Sequence, residues 1–185
     1  MRKEYDFSKA KRANQVPHLV KLQAEHKTQS EILQQLYIEA KNFRKAFLII
    51  NRDDFRFGVF KHYPSNCCEY TSLLLAKYLI ECRIYKDIFM IYGENKYKKS
   101  IRHAWLRIND IDIDITAYQF SSTSKTVIVE YFSEWHQRYN ILKIELPNID
   151  FVDFKKHSNE WLLNDYHRVL KNISCINELK NSKGL

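Results

Sequence analysis

Glycine is scarce in this chain, with only three residues among 185. The loops that bind phosphates in dinucleotide-binding and P-loop proteins need closely spaced glycines, and these three lie far apart, which excludes both classes. The sequence has no apolar run of about 18 residues that could span a membrane, and its first residues lack the apolar stretch of a signal peptide. We therefore expect a cytoplasmic protein with no membrane partner. Secretion as an effector without a recognisable signal is the alternative.

Cysteine is also sparse, and none of the four cysteines stands in a Cys-x-x-Cys pair. Such pairs are typical of zinc sites and redox dithiols, so no metal is expected. Cys67 and Cys68 are neighbours in sequence and therefore poor disulfide partners. Cys82 and Cys175 fall late in predicted helices, where we expect them to fill apolar space. All four are predicted to be reduced thiols.

The composition indicates a folded domain with a basic N-terminus. Hydrophobic residues make up 45% of the chain, too many for a disordered protein, and 185 residues suit one domain. Residues 1–27 carry seven basic and three acidic side chains, about half of the net charge of +8. We predict a basic N-terminal arm over 1–27 and a single catalytic-type α+β domain over 28–185. The arm is either solvated or engages nucleic acid or an acidic protein.

The order of the predicted elements is helices, then strands, then a helix, which is typical of the α+β class. Thr28-Gln-Ser-Glu31 has the form of a capping box and predicts that the first helix begins there. A second helix, from Cys68 to about Glu81, is apolar on nearly every side and is predicted to be buried in the centre. The amphipathic stretch from Trp161 to Ile173 predicts a last packing helix. Between them, strand-like runs that favour antiparallel pairing occupy 85–92, 102–108, 111–117, 126–131 and 141–146.

The segment from His103 to Thr116 alternates apolar and polar residues, which predicts two strands around an Asn109-Asp110 turn. The opposed pairs are then Ile108 and Ile111, Arg107 and Asp112, Trp105 and Asp114, and His103 and Thr116. His103 and Asp114 become diagonal neighbours on one face, within reach for a carboxylate to hold an imidazole. That pair is the base and its orienting group in a catalytic triad. Trp105 could shield their hydrogen bond from water or simply pack.

The predicted central helix supplies a candidate nucleophile at its first turn, where the helix dipole favours a thiolate. Cys67 and Cys68 both qualify by position, but they lie about 100° apart around a helix, so at most one faces the imidazole. The helix start also offers a backbone N–H to an oxyanion. The candidates for the remaining oxyanion or substrate contacts are Asn66, His62, Trp105 and Gln119.

His103-Ala-Trp-Leu and Asp114-Ile-Thr resemble the histidine and aspartate motifs of transglutaminase-like and papain-like cysteine hydrolases. Residues 58–136 are closest to an uncharacterised bacterial family of that superfamily, through Pro64 before Cys67-Cys68, the His-Ala-Trp motif and Asp114-Ile-Thr-Ala-Tyr-Gln-Phe120. Trp135-His136 is a weaker match. The resemblance favours Cys68 over Cys67 and implies a triad in which Cys68 attacks, His103 relays the proton and Asp114 orients the imidazole.

That resemblance implies a papain/transglutaminase-like fold and a thiol hydrolase without a cofactor. The substrate would be an amide bond of a peptide or protein, as in a peptidase or a glutamine deamidase or transglutaminase. Arylamine N-acetyltransferases share the order of the triad, but their arginine and glycine signature around the cysteine is missing here, so acetyl transfer is a minor option. Glu69 and Tyr70 replace the family's Gly-Asp, and Tyr118 replaces an acidic residue. These departures imply either a changed substrate pocket or, as the less favoured alternative, a member that has lost activity. The competing hypothesis is a non-catalytic binding protein that uses the basic arm.

Overall fold

The computed structural model describes the backbone of residues 17–81, 85–152, 154 and 156–182, and side chains over 28–81, 85–152, 154 and 157–175. The chain divides into two compact units between Gln35 and Leu36. The described part contains three α-helices and a five-stranded antiparallel sheet, so the predicted α+β class is confirmed. The sheet and the candidate site both belong to the second unit.

Helix α1 spans Pro17–Ile49, and the predicted helix start at Thr28 is wrong. Residues 17–27 contain no glycine and have proline only at the first helical position, where it is tolerated, so nothing stops the helix from extending through the capping-box sequence. Apolar residues spaced along one face of this helix are buried at Leu36, Ala40, Phe43 and Phe47. Residues 1–16 and the side chains of 17–27 lie outside the described residues, so the arm stays a prediction.

Helix α2 spans Cys68–Glu81 and matches the prediction at both ends. Its side chains from Thr71 to Ala76 are all buried, which confirms a helix surrounded by the rest of the fold. The helix packs against the first two strands of the sheet, and the Ser72 hydroxyl donates a hydrogen bond to the Ala104 carbonyl at 3.5 Å. Because the helix begins at Cys68, this packing positions the cysteine relative to the strand that carries His103.

The strands are β1 (Ile88–Asn95), β2 (Arg102–Ile108), β3 (Ile111–Asp114), β4 (Ile128–Tyr131) and β5 (Tyr139–Glu145), in the order β4-β3-β2-β1-β5. Strand β3 ends three residues before the predicted limit. The reason is the Asp114 carboxylate, which accepts hydrogen bonds from the N–H groups of Thr116 and Ala117 and turns the chain into a short 3₁₀ helix. Helix α3 spans Lys156–Ser182, further than the predicted stripe at both ends.

The β2–β3 hairpin has the predicted register, with Arg107 opposite Asp112 and Ile108 opposite Ile111. Asn109 makes the turn with φ of 52°, a left-handed conformation that asparagine tolerates better than most residues. Both faces of this hairpin are buried. On the face of His103, a second core forms from Ile91, Trp105, Ala117, Ile128, Trp135 and Tyr139.

Gly93 lies opposite His103 in the β1–β2 ladder, where there is no room for a side chain. A Cβ at this position would lie 2.8 Å from the Tyr139 Cβ and 2.9 Å from the Trp105 ring. Because these neighbours are themselves packed, we expect Gly93→Ala to lower the free energy of unfolding by about 1–3 kcal/mol. Gly58→Ala is the matched control, since its Cβ would meet no atom of the described residues within 4 Å. Urea unfolding of both variants checks this, and equal stabilities would contradict it.

Candidate functional site

The two adjacent cysteines occupy different environments. Cys68 is the first residue of α2 and is partly exposed, whereas Cys67 is fully buried. Burial raises the pKa of the Cys67 thiol to about 12, which disfavours the thiolate and argues against Cys67 as the nucleophile. Cys175 is predicted to fill apolar space, but it is exposed. It follows Ile173, the last buried residue described in α3. Cys82 lies outside the described residues.

His103 and Asp114 are in direct contact, as the strand alternation predicts. Nε2 of His103 lies 2.6 Å from Oδ2 of Asp114, and both side chains are inaccessible to solvent. The other oxygen, Oδ1, accepts hydrogen bonds from the Thr116 N–H at 2.7 Å, its hydroxyl at 2.9 Å and the Ala117 N–H at 3.0 Å. Burial alone would raise the pKa of Asp114, but the charge and hydrogen bond of His103, followed by those of His136, hold it far below its usual range. The carboxylate is therefore ionised.

The imidazole of His103 is stabilised in its charged form. Burial alone would lower the pKa of His103, but the charge and hydrogen bond of Asp114, followed by the interaction with Cys68, raise it to about 9. Nδ1 of His103 is buried and has no hydrogen-bond partner among the described residues. No described hydrogen bond therefore joins the imidazole to the Cys68 sulfur, although Cys68 is among the groups that raise the pKa of His103. Catalytic hydrogen bonds are often long before substrate binds, so the contact between Cys68 and His103 stays a prediction.

A second histidine, which the sequence indicated only through the weak Trp135-His136 match, contacts the same carboxylate. Nε2 of His136 lies 3.1 Å from Oδ2 of Asp114, and the residue is 2% exposed. His136 opens a short 3₁₀ helix that leads into β5. No spacing rule links it to Asp114, because the two residues meet only when the chain after β4 folds back over the sheet.

Trp105 makes a different contact from the one its register position suggested. Its indole N–H donates to Oδ1 of Asp112 at 2.8 Å, and Arg107 donates to the same oxygen at 2.8 Å. The Trp105 ring lies near His103, with 6.0 Å between ring centroids, and is 1% exposed. Trp105 therefore packs beside the histidine and excludes water from it, but in this structure it is not accessible for the predicted substrate contact.

The other candidates for oxyanion or substrate contacts have no described contact with the triad residues. Gln119 accepts a hydrogen bond from the Asn66 N–H at 3.3 Å and donates one to the Thr116 carbonyl at 3.2 Å. It therefore ties the loop before α2 to the segment after β3. His62 is exposed, and no described contact joins its side chain to the triad residues. The backbone N–H groups at the start of α2 stay the predicted oxyanion donors.

His103, Asp114 and His136 offer three donor atoms within 4.8 Å of one another, which is the type of cluster that can hold a metal ion. A zinc ion about 2.0–2.2 Å from each donor would separate the donors from one another by about 3 Å or more. The separation of 2.6 Å between His103 Nε2 and Asp114 Oδ2 is instead that of a strong hydrogen bond. The cluster would have to open to admit an ion, so we assign it to hydrogen bonding.

The buried His103–Asp114 pair predicts how stability depends on pH. Since the pKa of His103 is raised from 6.5 to about 9, its contribution is complete below pH 6.5 and is lost as the pH rises through 9. The pKa of Asp114 is lowered from 3.8, so its contribution is present above that value and is lost as the pH falls. We expect the free energy of unfolding to fall by roughly 1–3 kcal/mol between pH 6 and pH 9.

Urea unfolding at a series of pH values measures this dependence. The His103→Gln variant lacks the titrating imidazole and should give a flatter profile over the alkaline range. Parallel profiles for the two proteins would show that His103 does not carry the effect.

Within the described ranges, no helix is both long enough and apolar enough to cross a membrane. The predicted cytoplasmic location, and the predicted partners of residues 1–27, stay predictions. Comparison of the chain with protein-family models, with curated proteins and with solved structures found no match.

Proposed function

We propose that the protein is a thiol hydrolase of papain/transglutaminase-like architecture that acts on an amide bond, either a peptide bond or a glutamine side chain. The observation that carries the proposal is the buried contact of 2.6 Å between Nε2 of His103 and Oδ2 of Asp114. Nδ1 of the same imidazole has no hydrogen-bond partner among the described residues and is available to the Cys68 thiol, which is among the groups that raise the pKa of His103. A central helix that begins at the cysteine, and an antiparallel sheet that carries the other two residues, support the same assignment.

Cys68 acts as the nucleophile in this proposal. With His103 protonated, the cysteine forms a thiolate–imidazolium ion pair, and the sulfur attacks the carbonyl carbon of the amide. The tetrahedral oxyanion that results accepts hydrogen bonds from N–H groups at the start of α2. His103 then donates its Nδ1 proton to the leaving nitrogen, the C–N bond breaks, and an acyl thioester on Cys68 is left.

The second half of the reaction reverses the proton movement. Neutral His103 removes a proton from water, or from an acceptor amine, as that molecule attacks the thioester. The C–S bond breaks and the thiolate returns. Asp114 holds the proton on Nε2 of His103 throughout, which leaves Nδ1 free to exchange a proton with the reacting atoms.

Two of the three departures from the family pattern are packing residues. The Tyr70 ring contacts those of Phe57 and Phe154, with centroid distances of 4.7 and 5.8 Å. The Tyr118 ring lies 4.8 Å from the Arg44 guanidinium. Neither tyrosine has a described contact with the triad residues, so these departures are compatible with the proposed chemistry.

The third departure, Glu69, follows the nucleophile in sequence and lines a cavity of about 390 Å³. Tyr92 donates a hydrogen bond to its carboxylate at 3.3 Å, and Leu73 and Met90 supply apolar walls. The cavity is of a size that takes an amino-acid side chain, and it adjoins the first turn of α2. We assign it to substrate binding, which agrees with a changed pocket rather than a lost activity.

A thiol-reactive probe that mimics an amide substrate tests the proposed nucleophile. We expect it to label the wild-type protein at a single residue, to label Cys67→Ala similarly, and to leave Cys68→Ala unlabelled at that site. Mass spectrometry of the labelled peptide identifies the residue, and circular dichroism checks that each variant is folded. Unchanged labelling of a folded Cys68→Ala variant would show that Cys68 is not the nucleophile.

A further inference from the structure

One oxygen of the Asp114 carboxylate faces two imidazoles. Oδ2 lies 2.6 Å from Nε2 of His103 and 3.1 Å from Nε2 of His136, and none of the three residues is more than 2% exposed. The triad accounts for the first contact only. The second connects the carboxylate to a residue that the proposed reaction does not use.

The other oxygen of Asp114 cannot serve His136, because three donors from Thr116 and Ala117 already occupy it. Since an ionised carboxylate only accepts hydrogen bonds, each imidazole must carry its proton on Nε2 to pair with Oδ2. Nδ1 of His136 is buried and has no hydrogen-bond partner among the residues that the structure describes, so Asp114 is the described polar group that holds this ring.

The His136 ring packs against two tryptophan rings. Its centroid lies 4.6 Å from that of Trp105 and 4.9 Å from that of Trp135. The same ring forms part of the wall of a cavity of about 370 Å³, together with Asp112 and Tyr139. His136 therefore contacts the Asp114 carboxylate and also lines this cavity.

We propose that His136 is a positioning residue of the active site, the fourth member of a chain that runs Cys68, His103, Asp114, His136. It donates a hydrogen bond from Nε2 to Asp114 and fixes the oxygen that orients His103. This inference rests on the proposed function, because the role of His136 is to maintain the geometry of that triad.

Two substitutions separate this role from simple packing. His136→Phe keeps an aromatic ring between the tryptophans but removes the donor, whereas His136→Gln keeps an N–H group at similar reach. We expect iodoacetamide to alkylate Cys68 about tenfold to a hundredfold more slowly in His136→Phe at pH 6.5, the effect of losing one hydrogen bond to a charged group. In His136→Gln, the alkylation rate of Cys68 should stay close to that of the wild-type protein. His157→Phe, at an exposed histidine of α3, is the control.

The outcomes distinguish this inference from the proposed function. If wild-type Cys68 reacts no faster at pH 6.5 than a free thiol such as glutathione, the proposed function fails and the inference fails with it. If the wild-type protein is activated and His136→Phe reacts at the wild-type rate, only the role of His136 is wrong.

A measurement on the wild-type protein covers the case in which His136→Phe does not fold. Nitrogen-15 NMR of labelled histidines reports which ring nitrogen carries the proton. We expect His136 to be protonated on Nε2. A His136 ring with its proton on Nδ1 alone could not donate to Asp114, and that result would overturn the inference.

Discussion

Replacing Asp114 by asparagine is expected to lower the free energy of unfolding by about 3–5 kcal/mol, the usual cost of removing one partner from a buried ion pair. Asparagine keeps one oxygen for the donors of Thr116 and Ala117. Its amide group would then direct N–H bonds toward His103 and His136, whose facing nitrogens are themselves donors. The negative charge that raises the pKa of His103 is lost as well, so the proposed ion pair with Cys68 should weaken.

Urea unfolding at pH 6 gives the stability change directly, and probe acylation gives the chemical effect. For acylation we expect a loss on the order of 10³–10⁴-fold, similar to removing the orienting carboxylate from a serine protease triad. Asp110→Asn is the matched control, since Asp110 is exposed in the turn of the same hairpin. An Asp114→Asn protein as stable as this control would contradict an ionised, buried Asp114.

Replacing His103 by glutamine should remove the group that moves the proton. The leaving nitrogen of an amide needs a proton before its bond to carbon breaks, and glutamine cannot supply one. General acid–base catalysis contributes about 10²–10⁴-fold, so acylation by an amide probe should slow by that factor. Glutamine can still donate a hydrogen bond to Asp114, so most of the protein should stay folded. The loss of acylation rate should therefore exceed any loss of folded protein.

Acylation of the His103→Gln variant is compared with that of His167→Gln, an exposed histidine on α3. The control should react at the wild-type rate. If His103→Gln reacts within a few-fold of it while both are folded, His103 is a structural residue and the triad assignment is wrong.

The parts of the site that the sequence predicts are those set by local geometry. The limits of α2 follow from an unbroken apolar helix, and the β2–β3 register follows from strict alternation around a tight turn. The contact between His103 and Asp114 is a consequence of that register, because residues of matching parity share a face of the sheet.

The parts that the sequence does not predict depend on contacts between distant segments. His136 reaches Asp114 from 22 residues further along the chain, and no periodicity marks such a contact. The Trp105 indole extends along the strand to Asp112 rather than to the opposite residue, because a long side chain reaches past its register partner. The helix start predicted from the capping-box sequence at Thr28 is wrong, because the chain before Thr28 is already helical. An N-cap residue must itself lie outside the helical conformation.

The reactivity of Cys68 at two pH values tests most directly whether the three triad residues act together. The alkylation rate of this residue is followed by mass spectrometry in the intact wild-type protein at pH 6 and pH 8.5. A thiolate held by protonated His103 should retain most of its rate at pH 6. A drop on the order of a hundredfold, as for a free thiol with a pKa of about 8.5, would contradict an ion pair between Cys68 and His103.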